Sequence, residues 1–210
     1  MRPLILLVFG CLAAACAAQT AQTARPPASA GVREPGLRAE LLRRAAVDQA
    51  VRESVTAVLR SGAAPDSALL ARMVAVDSGN TAWVSGVLAR WGWPGRSLVG
   101  SDGTNAAFLL VQHADRDTVV QVRGLPLLER AYRADEASGQ QLALLTDRVA
   151  AARGKPQVYG TQADIRDGRV RLKPIADSAG VDARRAAVGL PPLREYVRVL
   201  DSVYTAHPPP

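Results

Sequence analysis

The 210 residues include 26 Lys and Arg against 19 Asp and Glu, two His, two Cys, 48% apolar side chains and only 4% aromatic ones. One-fifth charged with nearly half apolar is the balance of a folded domain, which excludes a disordered or collagen-like chain. Two Cys exclude a disulfide scaffold and a thiolate zinc site, and no apolar run reaches the ~20 residues that a membrane-crossing helix needs.

The N-terminus places Arg2 before an apolar run, Leu4 to Gly10, and small residues follow up to Cys16. A basic residue, a short apolar core and small residues are the parts of an export signal, here residues 1–15. Small residues directly before a Cys are similar to the bacterial lipoprotein signal, which implies acylation at Cys16; plain cleavage near Ala15 is the alternative. Cys11 then leaves with the signal and no free thiol remains, as suits an oxidising compartment. Residues 16–36 are rich in Ala, Gln, Thr and Pro without an apolar period, so they read as a tether. The expected location is the cell envelope or periplasm, anchored to a membrane through Cys16, with secretion as a soluble protein the alternative.

A net charge of +7 invites a nucleic-acid reading. Only Lys155 and Lys173 are Lys, however, and the Arg residues are scattered, each near an Asp or Glu. No basic run exceeds a doublet and no aromatic platform interrupts one, so no nucleic-acid partner is expected.

Apolar positions from Leu37 to Arg60 recur at three- and four-residue steps and predict an amphipathic helix ended by Ser61-Gly62. Pro65-Asp66 opens a second helix that closes near Asp77-Ser78-Gly79, and Asn80 or Thr81 caps a third, stopped by Gly92-Trp93-Pro94-Gly95. Ala106 to Ala114 is almost continuously apolar and reads as a helix buried on most sides. Asp117 to Arg133 is helical in period with a break expected at Gly124-Leu125-Pro126, and Ala137 to Arg153 gives another helix. The period then changes. Gln157 to Gln162 and Arg169 to Lys173 alternate around Asp167-Gly168, which predicts an antiparallel hairpin over about 157–174. Short helices over Val181 to Gly189 and Leu193 to Tyr204 precede a tail at 205–210. The expected fold is mainly α (α+β): one helical domain, 37–204, with one small antiparallel hairpin near the C-terminal third. At that length no cofactor is needed for folding.

A phosphate loop, a dinucleotide Gly triplet, a G-x-S-x-G elbow and an H-E-x-x-H helix are all absent. His113 is the only His in the folded part, so no metal site built on His is expected. Gln112-His113-Ala114-Asp115 ends the most apolar helix, and a neutral imidazole there has the donor, the acceptor and the near-neutral titration of a general acid or base. The competing reading is a core His satisfied by its neighbours. Asp48, Gln49 and Arg52 lie on one helix, with Asp48 and Arg52 spaced as an ordinary surface ion pair. Asp147 and Arg148 are adjacent and diverge, and a helix-to-hairpin clamp is their plainest role. Gln157, Tyr159 and Gln162 form a polar edge around Gly160. Arg185 belongs to a doublet that reads either as an anion site or, more simply, as a solvated helix face.

Six ordered blocks now stand out: Asp48-Gln49-x-x-Arg52, Gly92-Trp93-Pro94, Gln112-His113-Ala114-Asp115, Leu145-Thr146-Asp147-Arg148-Val149, Gln157-Val158-Tyr159-Gly160-Thr161-Gln162, and Asp182-x-x-Arg185 with Gly189-Leu190. This set resembles an uncharacterised bacterial family, domain of unknown function 6624, over about Leu41 to Tyr204. The resemblance implies a domain boundary and a list of candidate residues, and no activity.

The leading expectation is a displayed module that binds a small molecule or peptide near the hairpin through Gln49, Arg52, Gln112, Arg148, Gln157, Tyr159, Gln162 and Arg185. The second is a hydrolase or lyase using His113 with Asp48 and Asp147. The third is a structural envelope protein without a pocket. The first two require the listed side chains to converge.

Overall fold

The computed structural model describes residues 31–166 and 169–204. Among the described residues, seven helices and one two-stranded hairpin make a mainly α fold, 68% helical. The signal, Cys16, most of the tether, the Asp167-Gly168 turn and the tail at 205–210 lie outside the described residues.

Helix α1 (Pro35–Arg60) begins two residues before the apolar period does, because Pro suits a first helical turn, where its missing N–H costs nothing. Arg33 and Glu34 already donate backbone N–H groups to the carbonyls of Ser97 and Leu98. Residues 33–36 therefore belong to the folded body and not to the tether. Helix α2 (Ser67–Trp91) corrects the expectation of two helices, since it runs unbroken through Asp77-Ser78-Gly79. The Asp77 carboxylate is drawn to Arg52 instead of serving as a cap, and an exposed Gly within a helix costs only about 1 kcal/mol. Helix α3 (Arg96–Gln112) takes in the apolar run and reaches back past it, with Gly100 in a non-helical conformation near its start.

Helix α4 (Thr118–Arg133) carries Pro126 inside it without the expected interruption. Gly124 faces Val111 and Leu88 so closely that a methyl group would lie 3.3 and 3.5 Å from them. Packing at that depth holds the turn that Pro126 weakens by removing one N–H. Helix α5 (Gly139–Ala152) opens on a reciprocal cap, with Ser138 accepting from the Gln141 N–H and Gln141 accepting from the Ser138 N–H.

α3 is the axis of the core: ten of its 17 residues are buried, and it packs against α1, α2, α4 and α5. Its Phe108 and Val111 meet Leu41, Val84, Leu88, Leu128 and Leu145 in one core cluster. All three Trp lie in one stretch, with Trp83 and Trp91 packed on this core and Trp93 buried within it, its Nε1 donating to Thr104.

Strands β1 (Ala163–Arg166) and β2 (Arg169–Leu172) pair antiparallel, Ala163 opposite Leu172 and Arg166 opposite Arg169. The hairpin is thus shorter than expected and starts six residues later. Gln157 to Gln162 alternates in sequence but forms a loop, touching the sheet idea only through a single parallel bridge from Gln157 to Ile175. Helices α6 (Val181–Ala187) and α7 (Leu193–Tyr204) follow, and α7 packs on β2. Among the described residues no helix is long and apolar enough to cross a membrane.

The start of α5 is pressed against the loop after α6: a Cβ at Gly139 would sit 2.2 Å from the backbone oxygen of Val188. Gly139→Ala removes chain entropy from the unfolded state, a gain of up to about 1 kcal/mol, but forces backbone atoms apart. A net loss of about 2 kcal/mol is expected from the urea midpoint at unchanged slope.

Candidate functional site

Two polar centres sit on opposite sides of one step of α5. The first gathers Asp48, Gln49 and Arg52 from α1, Asp77 from α2, His113 at the end of α3, Asp115 from the following loop, Gln121 from α4 and Arg148 from α5. The second gathers Asp147 from α5 with the loop 157–162, Arg185 and Tyr196.

In the first centre Asp48 is fully buried and His113 is 5% exposed, so the expected surface ion pair of Asp48 and Arg52 is in fact an interior one. Asp48 Oδ2 lies 2.7 Å from His113 Nδ1. Gln49 donates to the same oxygen at 2.9 Å, and Arg52 Nε reaches both carboxylate oxygens at 3.3 Å. Arg52 Nε also lies 3.0 Å from His113 Nδ1. Only one of Asp48 and Arg52 can be the hydrogen-bond partner of Nδ1, because that nitrogen carries either a proton or a lone pair. The Asp48 contact is the shorter, and Asp48 is ionised: burial works to raise its pKa, but the His113 hydrogen bond and the Arg52 charge outweigh burial and hold it below the usual carboxylate range. A carboxylate at 2.7 Å needs the proton on Nδ1. We therefore assign the Nδ1–H tautomer, which leaves the lone pair on Nε2, and Nε2 has no hydrogen-bond partner among the described residues. Burial, helped by the charges of Arg52 and Arg148, depresses the His113 pKa against the pull of Asp48, so the ring is neutral near pH 7.

Asp77 meets Arg52 Nη2 at 2.5 Å. Burial, with the Asp48 and Asp115 carboxylates nearby, still raises its pKa to about 6. Asp115 accepts from Arg148 Nη1 at 2.6 Å and from Gln121 Nε2 at 2.9 Å. Burial pushes the Asp115 pKa up, and those two partners more than reverse it. Gln121 Nε2 also donates to the Gln112 carbonyl at 3.0 Å. The side-chain oxygens of Gln112 and Gln121 are buried without a hydrogen-bond partner among the described residues.

The second centre is a structural knot. Asp147, fully buried, accepts from the N–H groups of Val158, Tyr159 and Thr161 at 2.7 to 3.2 Å and from the Thr161 hydroxyl at 3.0 Å. Those N–H groups, which a strand would have paired, are taken by one carboxylate, and this is why the loop is not a strand. Gly160 has φ +73°, and a Cβ there would meet Leu193 and Ile175 at under 3 Å. Gln157 donates to the Gln162 and Lys173 carbonyls and accepts from the Gln162 N–H, while Gln162 Nε2 donates to Thr161. Arg185, 1% exposed and so not on a solvated face, donates to the Tyr159 and Pro191 carbonyls and lies over the Tyr196 ring. Burial lowers its pKa.

Of the sequence-derived candidates, Asp48, Gln49, Arg52, Gln112, His113 and Arg148 thus converge. Asp147, Gln157, Tyr159, Gln162 and Arg185 do not join them: each holds the loop in place, and Asp147 has no oxygen left for chemistry. Asp77 and Gln121 escaped the sequence reading. Asp77, a lone carboxylate ending the apolar stretch of α2, was the available signal, masked by its likeness to a helix stop. A separate cleft of about 490 Å³ opens beside Trp91, Trp93, Arg33 and Arg130, and none of these candidates lines it. Among the described residues no cluster of three or more His, Cys, Asp or Glu is placed to hold a metal ion.

Residues 35–207 match the family of unknown function DUF6624. The chain belongs to that family. The match takes in all six sequence blocks, so both polar centres lie inside the DUF6624 domain. No curated protein and no solved structure matches.

Asp147→Asn replaces an acceptor oxygen by a donor facing buried N–H groups, and a loss of about 3–5 kcal/mol is expected in urea unfolding. Asp77 gives a pH signature. Its folded pKa is raised from 3.8 to about 6, so its contribution is complete below pH 4 and is lost as pH rises through about 6. Asp77→Asn stays neutral, and should match the wild type at pH 4 and exceed it by about 1–3 kcal/mol at pH 7. A variant less stable at pH 7 would show that the Arg52 ion pair outweighs the burial cost.

Proposed function

We propose that this chain is a hydrolase or lyase acting on a small polar molecule, with His113 Nε2 as the group that moves a proton. The observation that carries this reading is the buried 2.7 Å contact of Asp48 with His113 Nδ1, combined with an Nε2 that has no hydrogen-bond partner among the described residues. A buried carboxylate fixes the ring and its tautomer and stabilises the imidazolium formed when Nε2 takes a proton. Asp48 is then a positioning residue, and Arg52 holds it by bridging to Asp77. The depressed His113 pKa keeps Nε2 unprotonated at neutral pH, as a general base requires. A binding module near the hairpin has less support, because the polar groups of 157–162 are spent on their own loop.

The sequence supports placing this activity at the cell envelope, anchored through an acylated Cys16. Labelled palmitate incorporated by the wild type and not by Cys16→Ser is the expected result, and labelling of neither would exclude the anchor.

Nitrogen NMR of the imidazole tests the catalytic reading directly, with Nδ1–H and a bare Nε2 expected at pH 7. The Nε2–H tautomer would remove the general base. In a screen of chromogenic esters, phosphoesters and glycosides, His113→Gln should lower kcat by about 10²–10⁴, and Asp48→Asn should fall in the same range. The wild-type rate should drop on the acid side at a pKa below the usual histidine value.

A further inference from the structure

The polar site around the imidazole is rich in acceptors. Asp48, Asp77 and Asp115 supply three carboxylates and Arg52 and Arg148 two guanidinium groups, so the site carries one excess negative charge while His113 is neutral. Gln121 is fully buried, and its amide orientation is fixed because Nε2 already donates to the Gln112 carbonyl and to Asp115. Flipping the amide would set its oxygen against two other oxygens. Oε1 is therefore held beside the Asp115 carboxylate as a buried acceptor that no donor among the described residues meets. Leaving such an oxygen dry and unpaired is unfavourable, and a ligand donor there relieves it. Asp115 itself is 41% exposed and forms the open edge of this region.

We propose that Gln121 and Asp115 form a subsite for a primary ammonium group of the substrate, an inference that rests on the acid–base reading of the same site. The ammonium brings three N–H donors and one positive charge, matching an orphan carbonyl oxygen and an unbalanced carboxylate together. An anionic ligand group at this edge would face the Asp115 carboxylate and the Gln121 oxygen, with Arg148 already engaged by Asp115. A divalent metal lacks a ligand cluster among the described residues. Burial is the main cause of the raised Asp77 pKa, with the Asp48 and Asp115 charges adding to it, and a cation bound nearby should pull it down. The substrate class is then a small amine-bearing molecule, with its reacting bond held toward His113.

The test is an NMR titration of the full chain at pH 7.5 with methylammonium, tetramethylammonium and propionate, each at matched ionic strength. Methylammonium should saturate in the millimolar range and shift the Gln121 side-chain amide signals. Tetramethylammonium, a cation without N–H donors, should not saturate, and neither should propionate. Gln121→Met should weaken methylammonium at least tenfold. Asp115→Asn, at the exposed edge, removes the charge and leaves the buried Gln121 in place, and should also weaken methylammonium. Equal shifts from tetramethylammonium, no saturation by methylammonium, or unchanged binding in Gln121→Met would each overturn the subsite, the last two leaving only water on Oε1. The two readings fail separately: ammonium binding with an Nε2–H imidazole ends the acid–base role alone, and the expected tautomer without ammonium binding ends the subsite alone.

Discussion

A carboxylate moved out of water must be met by donors or it gives up its charge. Asp48 and Asp147 are both fully buried, and the structure around each is the answer to that demand. Asp147 is answered almost wholly by backbone: three N–H groups and one hydroxyl converge on it and oblige the chain from Val158 to Thr161 to curl around one carboxylate. Asp48 is answered by side chains, Gln49, Arg52 and His113, drawn from two helices. Backbone donors make a fixed joint. Side-chain donors with their own titration make a site that can change state.

The two solutions share a helix. Asp147 and Arg148 are consecutive on α5 and point apart, one into the loop knot and the other to Asp115. The loop thereby fixes the placement of the guanidinium that neutralises Asp115, and the residues 157–162 serve the site from behind by positioning and not by contact. Their dense hydrogen bonding, which first suggested a ligand, is what an irregular buried segment needs to satisfy its own polar groups.

Helical periodicity made most of the fold legible, because α1 buries one clear stripe and the nearly continuous apolar run of α3 marks it as the helix enclosed by the others. It misled where a local signal competed with tertiary packing. Asp77-Ser78-Gly79 has the residues of a helix end, but the pull of Arg52 from another helix decided the conformation of α2. Pro126 should weaken α4, yet the close fit of Gly124 on Val111 and Leu88 keeps it in line. Gln157 to Gln162 has the period of a strand, and the carboxylate that takes three of its N–H groups lies 11 to 14 residues upstream, where no pattern within the segment could reveal it. His113 and Asp48 were legible as polar residues in apolar surroundings. Their pairing was not, since 65 positions separate them. Arg185 looked solvated because its partners are carbonyl groups, which carry no signature in sequence.

The clustering of Trp83, Trp91 and Trp93 bears on how this protein reports its own unfolding. Indole emission comes from one corner of the helical core, where α2 and the turn after it meet α3, while the loop knot and the hairpin contain no indole at all. A fluorescence melt therefore follows the disassembly of that corner and is silent about the ribbon and the last two helices. Agreement between that melt and far-ultraviolet ellipticity would mean that the two halves come apart as one cooperative unit.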